Sequence, residues 1–316
     1  MIRRGWRRTL SVVVVVLGLT GCGPDTNAPL VDVIDDDAVT IASFDFPESE
    51  VLAELYAQAL EARGITVERQ LNAGPRELLM PALESGLIEL IPEYTGSALD
   101  FLGGEPSADP EHTAARLADA LESRGLRLLR PAPAQDRNAF AVTAVTAHQL
   151  HVDTLSSLRP FANGLVFGGP HECLERRFCI PGLERRYGLE FERFVALDAG
   201  GPVSLEALTQ GFVDVVLLFT SDPAVHAPDI VVLRDDRELQ PTENVVPIVH
   251  AEVAAWFGVE TIAALDRVSD ALTTEDLRDL NEAVGGGTSP ADAARAWLLA
   301  ERLVEAGAPT PGGPGA

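Results

Sequence analysis

Lysine is missing from this chain of 316 residues, and all 24 of its basic side chains are arginine. That excludes chemistry built on a lysine amine, such as a Schiff base or the phosphate-binding lysine of a P-loop. Positive charge is scarce altogether. Against 48 acids the formal net charge is −24. A nucleic-acid partner is excluded, because phosphate binding needs a basic face. Common enzyme signatures are missing too. No HExxH, GxSxG or Walker A motif occurs, and no GxGxxG follows a strand. "GGGTS", residues 285–289, lies between helical stretches and reads as a loop. The six histidines form no i, i+4 pair, and "HEC" does not complete a zinc-deaminase signature. With no nucleophile–base set and no metal set, neither an enzyme activity, a cofactor nor a resident metal is expected.

Cysteine is limited to three positions, and the first sits in an informative place. "MIRRGWRR" is a basic n-region, and "TLSVVVVVLGL" is an apolar run too short to span a bilayer comfortably. "LTGC" then leads into Cys22. Residues 1–21 resemble a bacterial lipoprotein signal. The resemblance implies that Cys22 receives a diacylglyceryl thioether and tethers an exported chain to the outer face of the cytoplasmic membrane. An ordinary secretory signal or an uncleaved anchor is the alternative. Residues 22–37 read as a linker, broken by Pro24, Asn27 and Pro29 and solvated by Asp35 to Asp37. Export changes how Cys173 and Cys179 read. In an oxidising compartment they read first as a disulfide. A metal site that includes His171, or a reactive thiol, remains the alternative.

Hydrophobic residues make up 46% of the chain, enough for a substantial core. Their pattern alternates between strand and helix periods. "AVTIAS", "ITVERQL", "LIELI" and "LRLLR" read as strands, and amphipathic helices separate them. One of these helices, "PRELLMPALESG", starts with Pro75 and holds Pro81, which should kink it. A second α/β unit follows, and the chain turns helical from Ala251. The order predicts mostly parallel sheets flanked by helices, in two lobes with a cleft between them. Ligands of such folds sit at sheet ends, against loops. Five loops fall there: 43–49, 72–77, 92–98, 168–179 and 219–223. They carry Phe44, Asp45, Phe46, Arg76, Tyr94, Ser97, Arg176, Ser221 and Asp222. Aromatics with a few polar groups suit a small amphipathic ligand. Glu89 and Glu93 read as a solvated strand edge.

The stretches "SFDFPESEVLAELYAQALEARG", "GLIELIPEYTGSALDFL", "GGPHECLERRFCIPGLERRYGL", "GFVDVVLLFTSDP" and "LQPTENVVP" carry a family pattern. They resemble the glycine betaine/choline/osmoprotectant substrate-binding proteins of ABC transporters, from about Val39 to Leu298. The resemblance implies an α/β, two-lobed type II periplasmic-binding-protein fold with a hinge and an interlobe ligand cleft. Lobe one is expected at 38–138 plus 245–305 and lobe two at 139–244. Residues 306–316 are expected to be a flexible tail. The hinge crossings would fall near Asn138 and Asn244. In such a family an aromatic cage holds the quaternary ammonium, because a methylated cation cannot donate N–H bonds and ring faces replace water.

Carried over, Tyr94 and Phe140 match cage positions, Ser97 a carboxylate-binding threonine, and Arg176 an arginine after the "GP" loop. Three departures stand out. Phe44 occupies a position often lysine, Glu243 or Asn244 a position usually tyrosine, and Leu205 a position often tyrosine. Asp45 and Glu243 offer carboxylates to a cation instead. The expected role is capture of a glycine betaine- or choline-type solute by a monomer that delivers it to an ABC permease and its ATPase. A different small polar or cationic solute on the same fold is one rival. An exported two-lobed enzyme is the other.

Overall fold

The computed structural model describes residues 38–305. The signal, Cys22, the linker and the tail lie outside these residues. Ten strands form the framework: β1 (Ala38–Ala42), β2 (Thr66–Gln70), β3 (Leu90–Tyr94), β4 (Leu126–Leu128), β5 (Asn138–Thr143), β6 (Val166–Gly169), β7 (Arg193–Ala196), β8 (Val215–Phe219), β9 (Ile230–Val232) and β10 (Val245–His250). They divide into two five-stranded sheets, ordered β2-β1-β3-β10-β4 and β7-β6-β8-β5-β9. In the first, β1 runs parallel to β2 and β3, while β10 is antiparallel to β3 and β4. In the second, β6 is parallel to β7 and β8, while β5 is antiparallel to β8 and β9. The chain therefore crosses between the sheets twice, through residues 129–137 and 233–244. The crossings lie side by side: Gln135 bridges Asn244, and Asp136 N–H donates to Glu243 O at 3.0 Å.

Helix α1 (Pro47–Glu61) explains the first core. Pro47 sits at its first position, where a missing N–H costs nothing. Its residues are buried nearly all round, so it runs through the lobe rather than along its surface. Val51, Leu55 and Tyr56 share one core with Val268, Leu277, Ala294 and Leu298 of the closing helices. Tyr56 and Ser269 share a buried hydroxyl hydrogen bond of 3.0 Å. The second lobe has its own core, which includes Phe140, Phe167, Leu183 and Tyr187. Cys173 and Cys179 are buried members of this core, joined by a disulfide with Cα atoms 5.2 Å apart. The first reading of that pair holds.

Two local details differ from the sequence pattern or resolve a conflict in it. The strand expected over "LIELI" starts three residues later, at Leu90, and takes in Pro92, Glu93 and Tyr94. Gly86 (φ +74°) turns the chain just before, and Leu87 stays exposed there. Pro247 sits inside β10, between two neighbours, although proline cannot donate to a ladder. Toward β3 it faces Pro92. Toward β4 it only accepts, from Leu129 N–H at 3.0 Å, just past the end of that strand. No donor is orphaned.

Candidate functional site

The site lies where β3 ends against the two crossings. Tyr94 is the last residue of β3 and the cap of helix α3 (Thr95–Phe101); helix α2 (Arg76–Glu84) approaches the same strand end. Tyr94, Phe46 and Phe44 form a ladder of rings. Phe46 lies 6.4 Å from Tyr94 and 5.9 Å from Phe44, centroid to centroid, with both pairs stacked. Phe44 and Tyr94 are buried, while Phe46 is 37% exposed and presents ring surface to solvent. Arg76 closes the far end, its guanidinium 5.2 Å from the Phe44 centroid. Pro81 lies inside α2 and does not end it.

Carboxylates surround this ladder. Tyr94 O–H donates to Glu48 Oε1 at 2.5 Å. Glu48 Oε2 accepts from Asn281 Nδ2 at 2.6 Å, and that amide also reaches Ser221 O at 3.1 Å. Ser221 lies just past β8, so Asn281 ties the first lobe to a loop of the second. Ser221 in turn donates to Asp136 Oδ1 through Oγ (2.7 Å) and N–H (3.2 Å). Arg76 grips Glu93 with two of its three guanidinium nitrogens, Nε at 2.6 Å and Nη2 at 2.9 Å. Such forked pairs are the strong ones. Glu243 points at α3: its Oε2 accepts from Ser97 N–H at 2.9 Å and its Oε1 from Ser97 Oγ at 2.8 Å. Gly96 permits this approach. A Cβ there would stand 2.5 Å from Thr242 O and 3.0 Å from the Glu243 carboxyl carbon.

The charges do not balance. Glu93 has Arg76 as its partner, but among the described residues no ion pair involves Glu48, Asp136 or Glu243. Burial pushes the Glu243 carboxyl up to about 7, against the bonds from Ser97 and the attraction of Arg76. Burial also raises Glu48, despite the hydrogen bonds it accepts. Asp136 stands well above its ordinary value, through burial first and the charge of Glu48 second. Burial and the Glu48 charge likewise hold the Tyr94 phenol well above its usual range, so it remains a donor. A buried carboxylate without a partner is costly, and protonation relieves it. An incoming cation would relieve it as well.

The sequence-predicted residues divide. Phe44, Tyr94, Ser97 and Glu243 come together here, with Phe46, Arg76 and Ser221. Asn244 is beside them but is engaged in the crossing: Nδ2 donates to Ala132 O at 2.8 Å, and Oδ1 accepts from Thr242 Oγ1. Phe140 stands apart, packed 6.0 Å from Phe167 in the second core. Asp45 and Arg176 are exposed. The adjacent Arg177, rather than Arg176, reaches α3, 3.6 Å from Asp100. Asp222 caps the turn after β8, accepting from Ala224 N–H at 2.7 Å. Leu205 is half-buried in a helix. The solvated-edge reading of Glu89 and Glu93 is overturned, since both are buried. Glu89 Oε2 accepts from Thr40 N–H at 2.7 Å. Glu48, Asp136 and Asn281 were not singled out by sequence. No local signal separates Glu48 from the other polar residues of α1, among them Glu50, Glu54 and Gln58.

Among the described residues no group of three or more histidine, cysteine, aspartate or glutamate side chains is placed to hold a metal. No helix among them is long and apolar enough to cross a membrane.

A family model described as the substrate binding domain of ABC-type glycine betaine transport systems matches residues 37–300. Glycine betaine-binding protein YehZ of Escherichia coli (strain K12) is 26% identical over 253 residues, which cover 75% of this chain and 81% of that protein. The ergothioneine transport permease/ergothioneine binding protein EgtU of Helicobacter pylori (strain G27) is 22% identical, over 78% of this chain but only 44% of that longer protein. The crystal structure of a glycine betaine/carnitine/choline ABC transporter protein superposes with a TM-score of 0.73, at 23% identity, covering 84% of this chain and all of that one.

Proposed function

We propose a function for a chain that belongs to the family of substrate-binding domains of ABC-type glycine betaine transport systems. Members bind a substrate for transport rather than transform it, so the chain is not an enzyme. In our reading it captures a small quaternary ammonium solute between its lobes and delivers it to a partner permease driven by an ATPase. One observation carries this: the ring ladder Phe44–Phe46–Tyr94 borders three carboxylates, Glu48, Asp136 and Glu243, that have no cationic partner among the described residues. Ring faces and uncompensated acids both attract a cation that cannot donate N–H bonds. Closure about the crossings at 129–137 and 233–244 would shift the population of lobe arrangements once the solute is seated. The lobes in this proposal are 38–138 plus 245–305 and 139–244. Cys22 would anchor a monomer outside the cytoplasmic membrane.

The test is a thermal-shift screen of the purified protein against glycine betaine, choline, carnitine and ergothioneine. Ligands that bind only the folded state raise its melting temperature. A shift with one or more quaternary ammonium solutes is expected. A screen flat for all four, but positive for another small polar or cationic solute, would move the chain to the rival reading.

A further inference from the structure

Resting on that capture reading, we infer that Glu243 selects the ligand class: the cleft takes a trimethylammonium solute with no carboxylate of its own, an amino alcohol cation rather than a zwitterion. A ligand carboxylate would need a guanidinium or a set of free donors. Arg76 is the guanidinium at the ring ladder, and both its forked donors are already taken by buried Glu93. The donors of Ser97, N–H and O–H together, are taken by Glu243 at 2.9 and 2.8 Å. The side chain of Asn281 is spent on Glu48 and Ser221 O, and Ser221 gives both its donors to Asp136. The two forked donors of Arg76 and the donors of Ser97, Asn281 and Ser221 are thus each matched to an acceptor of the protein itself.

Charge leads to the same class. Once a cation has drawn Glu48, Asp136 and Glu243 into their ionised forms, the carboxylate of a zwitterion would set a like charge beside them, and a like charge within a few ångströms in a poorly hydrated site is strongly disfavoured. A cation with a hydroxyl in place of the carboxylate adds no such repulsion. Its positive charge matches what the three acids lack. Glu243 decides the matter because it comes from the crossing and is held against α3 by the absence of a side chain at Gly96.

Titration calorimetry of the wild-type protein with choline and with glycine betaine tests this, since both carry a trimethylammonium group and only one a carboxylate. Choline is expected to bind about tenfold tighter or better. Glu243→Gln keeps the size and an acceptor for Ser97 but removes the charge. It should narrow the ratio at least about threefold, chiefly by improving glycine betaine. Glycine betaine binding as tightly as choline in the wild type would overturn the inference and leave the capture reading standing. So would an unchanged ratio in a folded Glu243→Gln variant. Failure of both solutes to bind would remove the capture reading and this inference with it. If Glu243→Gln does not fold, the wild-type ratio alone decides.

Discussion

Tyr94 and Glu48 stand 46 positions apart in the chain, and the phenol of one donates to the carboxylate of the other at 2.5 Å within a buried site. The bond joins the end of a central strand to the first turn of the helix behind it. It holds the Tyr94 ring at the end of the stack that Phe46 and Phe44 continue. The same carboxylate continues through Asn281 to Ser221 of the other lobe. The ring wall and the lobe contact therefore share one acid.

Tyr94 tests the ring wall. Tyr94→Ala should weaken binding of a trimethylammonium solute about tenfold or more, because it removes the ring face and breaks the ladder. Tyr94→Phe keeps the face and loses only the bond to Glu48, so its loss should be the smaller of the two. Calorimetry reads both. Equal losses would assign the work to the hydroxyl, and no loss in either would return Tyr94 to a turn residue.

Gly96 tests the close approach of the crossing to α3. In Gly96→Ala the new methyl would stand 2.5 Å from Thr242 O. Relief of that contact should cost about 1–3 kcal/mol of stability and loosen the bonds from Ser97 to Glu243. Urea unfolding gives the first quantity. An unchanged midpoint would mean that the crossing yields easily.

Arg76 tests the buried ion pair. Arg76→Ala leaves Glu93, which has no exposed surface, without its cation. Removing one partner of a buried pair costs about 3–5 kcal/mol, and urea unfolding near neutral pH should show a loss of that size. A loss below about 1 kcal/mol would show that water reaches Glu93 when the lobes part.

Glu243 makes stability depend on pH. Its carboxyl is raised from 4.5 to about 7 in the folded chain, so between those values the folded state holds a proton that the unfolded state has released. Stability from this group is fully present below pH 4.5 and lost as pH rises through about 7. The loss amounts to about 3 kcal/mol if the other groups do not respond. Glu48 and Asp136 are shifted in the same direction. Without ligand, the melting temperature should fall as pH rises through this window. Glu243→Gln should flatten the slope. A wild-type stability that rises over the same window would contradict the buried, unpaired state of these acids.

Much of the fold was legible in the chain. Strand and helix periods, with glycines such as Gly64 and Gly188 in left-handed turns after helices, place the elements. The site was legible only in part. "PEYTGS" marks Tyr94 and Ser97 because an aromatic at a strand end is unusual in a chain with three tyrosines. Glu93 was misread since a glutamate beside a turn is usually solvated. Its partner Arg76 lies 17 residues away, and no local pattern joins them. Asp136 and Ser221 meet across 85 residues, through the crossing and the second sheet. Phe140 shows a different limit. Residues 139–142 of β5 form a continuous apolar run buried throughout, so no alternation tells which of the two sides of the sheet meets the cleft. Its ring lies on the side that packs on Phe167.

The central claim is that this site recognises positive charge through ring faces and unpaired acids. Choline and its uncharged isostere 3,3-dimethylbutan-1-ol have the same shape and hydroxyl, with a carbon in place of the nitrogen. Calorimetric titration of the purified protein with the two separates charge from apolar burial. The account predicts that choline binds about tenfold tighter or better. Equal affinities, or a preference for the neutral alcohol, would contradict it.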